Sequence, residues 1–477
     1  MNLINAPSGA QASSDRPAFR KWSHYLADES RPIPGYIAER HPLDLRPPDY
    51  SLTVDAEQFT SREFQGLEKE KLWNKVWQIA CRENDVPTPG DFVEYEICGQ
   101  SILIVRDRKN VVRAFRNACR HRGTALVSGQ GNVSCFSCPY HGWTYSLDGA
   151  LRHIPAEWDF PHVDKARHGL IPCLAECFHG WVFINLDVGA APLKHFLGDA
   201  LVGQLDQRPL QRMWKHYHLG SVLPCNWKIM AHTFMEGYHI SRTHPQIAAF
   251  VGDVQGEFDF LGLHIRANTP GGVPSLIGGQ EYTAQEILES SIAFNTGRFG
   301  DAGVEIDGSP GTQAAPQVPE GHTARQVMAE MVREQMASSG LDLSKVTDAE
   351  ILDPITYTIF PNMALLNHAP GQLNFRFRPH GDDPNYCLFE ILALKAVPEH
   401  EPLPRDVPMV LKRPEEKLAD YAGKIGAAGA LLDQDVHNAT LEQKGLNSGV
   451  GQIVLGRTME ASIIYFHHTL NAWMGIG

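Results

Sequence analysis

The sequence predicts an α+β chain of two domains: a small, mostly β domain, then a larger one mixing helices with an antiparallel sheet. Three observations predict it. At 477 residues the chain is too long for one small core. From about Val76 to Asp187, short apolar runs alternate and are broken by turn residues, the texture of strands. Beyond that, helical stripes give way to alternating runs around the turn Gly381-Asp382-Asp383-Pro384.

Composition sets the limits. Hydrophobic content of 43% and charged content of 20% describe an ordinary globular protein. No apolar run approaches the roughly 18 residues of a membrane span. The N-terminus lacks the basic and apolar regions of an export signal, so a cytoplasmic protein is expected. Nine cysteines, an odd and scattered set, read as thiols and metal ligands instead of a disulfide framework. A net charge of −13 argues against nucleic-acid binding.

Residues 1–50, rich in Pro, Arg and Ser, read as an extended arm, one that could pack on a neighbouring subunit. Residues 51–75 form a helical lead-in belonging to the larger domain. Within Asp55 to Trp77 the periodicity marks Phe64, Leu67, Leu72 and Trp77 for burial. In the β domain, 76–187, Asp91 to Glu96 and Ser101 to Arg106 flank Cys98-Gly99-Gln100 as a hairpin. Val111 to Phe115 and Trp181 to Asn185 are further strands, and Tyr145 to Gly149 is a turn. Arg106, Arg108, Lys109, Arg113, Arg116, Arg120 and Arg122 face only Asp107 over that span. They fit either solvated strand edges or a docking patch for an acidic electron donor.

The larger domain, 188–477, contains a helical stretch from Asn226 to His239. Gly297 to Gly321, rich in Gly and Pro, reads as a mobile loop. Thr323-Ala324-Arg325-Gln326 is a capping box opening a helix that ends near Gly340, with Met328, Met331, Val332 and Met336 as its apolar stripe. Gln372 to Arg378 and Tyr386 to Lys395 alternate as strands of an antiparallel sheet. The last helix buries Ile463, Phe466, Leu470 and Trp473, and His467 and His468 read as structural.

Chemistry concentrates between Cys119 and Trp143. Cys119-Arg120-His121 and Cys138-Pro139-Tyr140-His141 are two Cys-His pairs with sixteen residues between them. Two readings fit: a structural zinc tetrahedron, or a [2Fe–2S] cluster with two cysteines on one iron and two histidines on the other. Zinc sites more often space their ligands C-x2-C and H-x3-H. Each loop here offers one thiolate and one imidazole, which suits a two-iron rhomb. Arg122-Gly123 after His121 and Gly142-Trp143 after His141 resemble the Rieske loops of ring-hydroxylating oxygenases. That resemblance assigns Cys138 and leaves Cys135 as a packing thiol.

Glu236, His239 and His244 form a second constellation. Glu236 and His239, three apart, share a helical face. Pro245 disfavours helical geometry at His244, so the helix ends there and the chain can bend both imidazoles to one metal. Two histidines plus a carboxylate from elsewhere build the facial triad of a non-haem Fe(II) site; two core histidines are the alternative.

Asn226-Trp227-Lys228, followed by Glu236-x-Tyr238-His239-x4-His244-Pro245, closely resembles the catalytic motif of Rieske non-haem iron oxygenase α subunits. The resemblance covers about residues 65 to 470. It implies a helix-grip catalytic domain beside the Rieske domain. Cys119, His121, Cys138 and His141 would hold the [2Fe–2S] cluster; His239 and His244 would hold Fe2+ with a carboxylate near the C-terminus. Gln443-x-Gly445-Leu446, eight residues after Asp435, is similar to the family's pattern and selects Asp435, with Asp433 as fallback; alternatively both aspartates cap the helix starting there. Glu236 would bridge the cluster of one subunit, through its His141, to His239 of the next, in a head-to-tail homotrimer, a β subunit being possible. Where many relatives carry Glu-Asn, this chain has His232-Thr233.

The implied activity is that of a terminal oxygenase component, hydroxylating a small hydrophobic, aromatic substrate with O2 by ring dihydroxylation or monooxygenation. Oxidative N- or O-demethylation is the alternative. NAD(P)H would act through a separate reductase, with or without a ferredoxin, because the chain lacks a G-x-G-x-x-G fingerprint. Two other classes remain open: a Rieske electron carrier without catalysis, and a zinc-stabilised ligand-binding protein.

Overall fold

The computed structural model describes residues 22–27, 50–206, 210–277, 279–295, 315–338, 340–368 and 371–476. Most of the expected N-terminal arm, and most of the loop expected from Gly297 to Gly321, lie outside them. The described part of the arm, helix Trp22–Ala27, packs on its own chain: Trp22 is buried and its indole donates to Asp353 Oδ2 at 2.7 Å.

The smaller sheet has seven strands, in the order Gln78–Arg82, Trp181–Asn185, Pro172–Phe178, Val112–Arg116, Gln100–Arg106, Asp91–Ile97 and Gln130–Asn132, every pair antiparallel. The expected hairpin turns at Cys98 and Gly99, whose φ of 48° and 69° supply the left-handed pair that a tight two-residue turn needs. A three-stranded sheet, Phe136–Ser137, Thr144–Tyr145 and Leu151–His153, stands beside it on its own apolar core of Phe92, Leu103, Phe115, Phe136, Trp143 and Tyr145.

The larger sheet has eight strands, in the order Glu257–Leu261, His264–Asn268, Ile355–Ile359, Met363–His368, Gly371–Pro379, Cys387–Ala396, Met213–Leu223 and Val410–Leu411. All pairs are antiparallel except the last. The two-residue period of a strand gives this sheet two unlike faces. Phe375, Phe377 and Phe389 stack on one, where Phe234 lies 4.1 Å from the Phe375 ring. Arg376 and Arg378 point the other way. Both bond Glu390, and both reach carbonyls of the smaller sheet's strands, Arg376 at Ile79 and Ala80, Arg378 at Glu96.

Glu390 is fully buried and also meets His218 Nε2 at 3.0 Å. Lys215, on the His218 strand, crosses to Asp85 at 2.6 Å. A buried charge is tolerated only when partnered, so these ion pairs fix how the sheets meet. Burial alone would raise the Glu390 carboxyl, but Arg376 and Arg378 hold it well below the usual range.

Local departures have local causes. Asp55 to Trp77 is two short helices, Glu57–Thr60 and Arg62–Leu67, and then a π-turn, Glu68–Trp73. Ser61 breaks the run with extended backbone and caps the second helix by accepting from Phe64 N. Leu72 and Trp77 are buried, while Phe64 and Leu67 are half-buried. Thr323 and Gln326 form the expected reciprocal cap on helix Ala324–Ser338. Its methionine stripe is only half-covered, with Met331 36% exposed; Ala324, Arg325 and Ala329 are buried instead. Ile463, Phe466 and Leu470 are buried on helix Ala461–Met474, and Trp473 is partly so.

Candidate metal and redox centres

The two Cys-His loops share one backbone plan. Cys119 N–H donates to Thr124 O at 2.8 Å, and Gly123 N–H returns to Cys119 O at 2.9 Å. Cys138 N–H likewise donates to Trp143 O at 2.8 Å, and Gly142 N–H returns to Cys138 O at 3.0 Å. Gly123 and Gly142 close these turns at φ of 79° and 72°, a conformation that glycine adopts without steric cost. Each loop therefore turns its cysteine inward and its histidine outward. Cys119 and Cys138 are buried, His121 is half-buried and His141 exposed, and the imidazole rings lie 4.7 Å apart.

Aromatic neighbours fix this quartet. The His121 ring stacks on Trp143 at 5.1 Å, and Phe160 meets it edge-on. Tyr145 hydroxyl sits 3.3 Å from Cys119 Sγ and accepts from Arg120 N–H. Burial pushes the Cys119 thiol up, and burial and His141 hold His121 below its ordinary value. Two buried sulfurs beside two imidazoles make a donor set suited to a cationic cluster. Cys135 is half-buried just before strand Phe136–Ser137.

The basic residues nearby divide into two groups. Arg106 is buried against backbone carbonyls, Arg113 pairs with Asp107 at 2.6 Å, and Arg116 bonds Gln100. Arg108, Lys109, Arg120 and Arg122 are exposed, Arg122 lying over the Tyr140 ring.

His239, His244 and Asp435 converge with ligand atoms all within 4.8 Å of one another. The helix expected from Asn226 to His239 stops at His232. Glu236 is outside it: its carboxylate accepts from Tyr238 N–H and His239 N–H and folds the chain into a turn. That turn, in place of a helical face, brings Glu236 Oε1 to 2.5 Å from His239 Nδ1. A short helix, Ile240–Thr243, follows and ends at His244 before Pro245. Asp435 arrives from mid-helix, on Ala428–Leu446.

Proton positions follow from the partners. A carboxylate only accepts, so His239 Nδ1 carries the hydrogen. Gln434 Oε1 accepts from His244 Nδ1 and from Gln246 Nε2, both at 2.8 Å, so His244 Nδ1 carries one too. In the neutral rings both Nε2 atoms then present lone pairs to Asp435 Oδ1, His244 at 2.8 Å and His239 at 3.8 Å. Asp435 Oδ1 is buried and makes no hydrogen bond among the described residues. Three such lone pairs converging can hold a cation between them, and two imidazoles with one carboxylate suit ferrous iron. Burial alone would lower His239, but Glu236 and then Asp435 hold it above its usual value.

Asp433, on the same helix, accepts from Leu418 N–H and Ala419 N–H at 2.8 and 2.9 Å. It caps the turn Leu418–Tyr421, and neither aspartate caps its own helix, which starts at Ala428. His232 turns away from Glu236 to meet His467, and His468 stacks on Tyr50 at 4.0 Å. Sequence reasoning missed Gln434 and Tyr145. Gln434 adjoins Asp435 in sequence, but its partner His244 lies 190 positions away.

Residues 76–164 match the family model for the Rieske [2Fe-2S] domain, and residues 208–476 that for the ring hydroxylating alpha subunit catalytic domain. Among curated relatives, the anthranilate 1,2-dioxygenase large subunit of Acinetobacter baylyi is 36% identical over 243 residues, covering 46% of this chain and 50% of that one. The carnitine monooxygenase oxygenase subunit of Escherichia coli is 32% identical over 200 residues, covering 42% and 54%. The chain thus spans about half the length of the curated relatives it matches. Among solved structures, a quaternary ammonium Rieske monooxygenase superposes with a TM-score of 0.63 at 20% identity, covering 92% of this chain and 100% of that one. A naphthalene 1,2-dioxygenase bound to phenanthrene gives 0.59 at 20% identity, covering 91% and 95%. These likenesses establish the fold.

Proposed function

Because this chain belongs to the ring-hydroxylating α-subunit family, its residues 208–476 matching that catalytic domain, we propose that it is the terminal oxygenase component of a Rieske non-haem iron oxygenase. The observation that carries this reading is the convergence of His239, His244 and Asp435, whose buried Oδ1 lacks a hydrogen bond among the described residues. A Rieske electron carrier without catalysis has no use for that convergence. In this reading residues 76–187 form the cluster domain and 188–477 the catalytic domain, to which 51–75 belong.

Cys119, His121, Cys138 and His141 would hold the cluster, and His239, His244 and Asp435 the iron. When bound, the two groups supply one-electron transfer and a ferrous ion with positions open to O2. The protein's own contribution is orientation. Glu236 and Gln434 fix the imidazole tautomers so that both Nε2 atoms face Asp435. Tyr145 and the two glycine turns keep the cysteines inward and leave His141 at the surface.

Surface position makes His141 available to a second copy of the chain. Glu236 is the residue that would receive it, which implies a head-to-tail homotrimer. Electrons would enter from a reductase or ferredoxin at the exposed Arg108, Lys109, Arg120 and Arg122. The substrate class is small and hydrophobic, with aromatic hydroxylation as first reading. The carnitine monooxygenase relatives favour a second, oxidation beside nitrogen with loss of an alkyl group. Incubating the reduced, iron-loaded protein with aromatic acids, polycyclics and N-methyl compounds under 18O2 tests both. Labelled hydroxylated product, or aldehyde from an N-methyl group, is expected. Fully loaded protein that consumes no O2 with any of them contradicts the reading.

A further inference from the structure

Two buried histidines outside both centres face each other. His232 ends helix Trp227–His232, His467 lies inside helix Ala461–Met474, and their Nε2 atoms are 2.9 Å apart. His467 Nδ1 is 3.0 Å from Gln58 Oε1, an amide oxygen that only accepts. His467 therefore carries its hydrogen on Nδ1 and offers a lone pair at Nε2, so His232 must donate from Nε2. Burial and the Lys228 charge keep His232 neutral, pulling it down to about 3. Burial, the His232 partner and Lys228 hold His467 well below its ordinary value. Phe59 meets both rings edge-on at 5.7 and 5.5 Å. Enclosed in this way, the pair has one tautomeric arrangement, and sliding apart would leave a buried N–H without an acceptor.

The segment leaving His232 leads straight to Glu236. Between them, Met235 O accepts from Ser462 Oγ, so the last helix grips this connection a second time. We propose that His232 and His467 form a pin that sets where the Glu236 turn lies against the last helix, which makes both of them positioning residues for electron passage through Glu236. The inference rests on Glu236 as the bridge proposed above. Helix Trp227–His232 is under two turns long and wholly buried, and the pin is the contact that ties its last residue to the final helix by a directional hydrogen bond. A shift of that end is passed directly to the carboxylate and to the hydrogen bond it makes with His239.

The test uses the cluster- and iron-loaded protein. The cluster is photoreduced, its reoxidation by O2 is followed by visible absorption, and the ferrous site is probed with nitric oxide by electron paramagnetic resonance. His232→Gln places an amide N–H where Nε2–H stands, whereas His232→Asn is one methylene too short. His232→Asn and His467→Leu are expected to slow reoxidation by about 10-fold or more and to alter the rhombicity of the nitric oxide signal, at unchanged cluster absorbance. His232→Gln is expected to stay within about 3-fold of wild type. Gln no better than Asn, or Asn at the wild-type rate while Glu236→Gln is slow, overturns the pin alone. Wild-type rates in Glu236→Gln remove the bridge, and the pin's purpose with it.

Discussion

Asp435 Oδ1 and His244 Nε2 face each other at 2.8 Å while His244 Nδ1 is held by Gln434. The glutamine therefore decides which nitrogen is left for a metal. Gln434→Leu is predicted to lower iron affinity by about 10- to 100-fold, the usual cost of losing such a support. Competition with a ferrous chelator checks this, and cluster absorbance should not change. Unaltered iron retention would show that Asp435 and the histidines orient themselves.

The ion pairs between the two sheets predict a stability effect remote from either centre. Glu390→Ala leaves Arg376 and Arg378 buried without their shared partner. A loss of about 3–5 kcal/mol is expected, read as a fall in the thermal or urea midpoint. Removing Glu415, exposed near Arg413, should cost no more than about 0.5 kcal/mol.

Acid should destabilise the fold through buried histidines. Burial, then the Lys215 charge, lowers His218 to about 4; burial also lowers His264 to about 4. Both folded values lie below the unfolded value of about 6.5, so the unfolded chain binds more protons between those limits. Stability is full above pH 6.5 or so and falls as pH drops toward 4, by up to about 3 kcal/mol for each histidine. Thermal melts across that interval check the slope, and His264→Gln, in a pocket where its Nε2 donates to Phe196 O, should flatten it.

Charge reversal at Arg108 and Lys109 is predicted to slow cluster reduction by an acidic donor about 10-fold at low salt, with the difference vanishing at high salt. Arg106→Glu should instead unfold the region, since that side chain is buried on carbonyls. Stopped-flow reduction at several ionic strengths distinguishes the two.

How much the chain discloses in sequence depends on how local each feature is. The Cys-His loops are legible because each Cys-His pair is a few residues long and its glycine closes the turn in place. The bend at His244 is legible because Pro245 acts on the residue before it. The Glu236 turn is not: helical spacing predicts the right neighbour for the wrong reason, because the helix stops at His232 and the carboxylate folds its own turn by capturing two backbone N–H groups. Strand alternation reveals the two faces around Phe375 and Arg376, but not that the arginines reach across to Ile79 and Glu96. Gln434, Glu390 and the His232–His467 pair owe their roles to partners far along the chain, which no local pattern marks.

Metal content of the wild-type chain and of Asp435→Ala tests the central claim most directly. Iron and acid-labile sulfide are counted on anaerobically purified protein alongside the visible spectrum. Wild type is predicted to hold about three irons and two sulfides per chain, and Asp435→Ala about two of each with the cluster absorption intact. A colourless wild type, or a variant that keeps its third iron, would contradict the account.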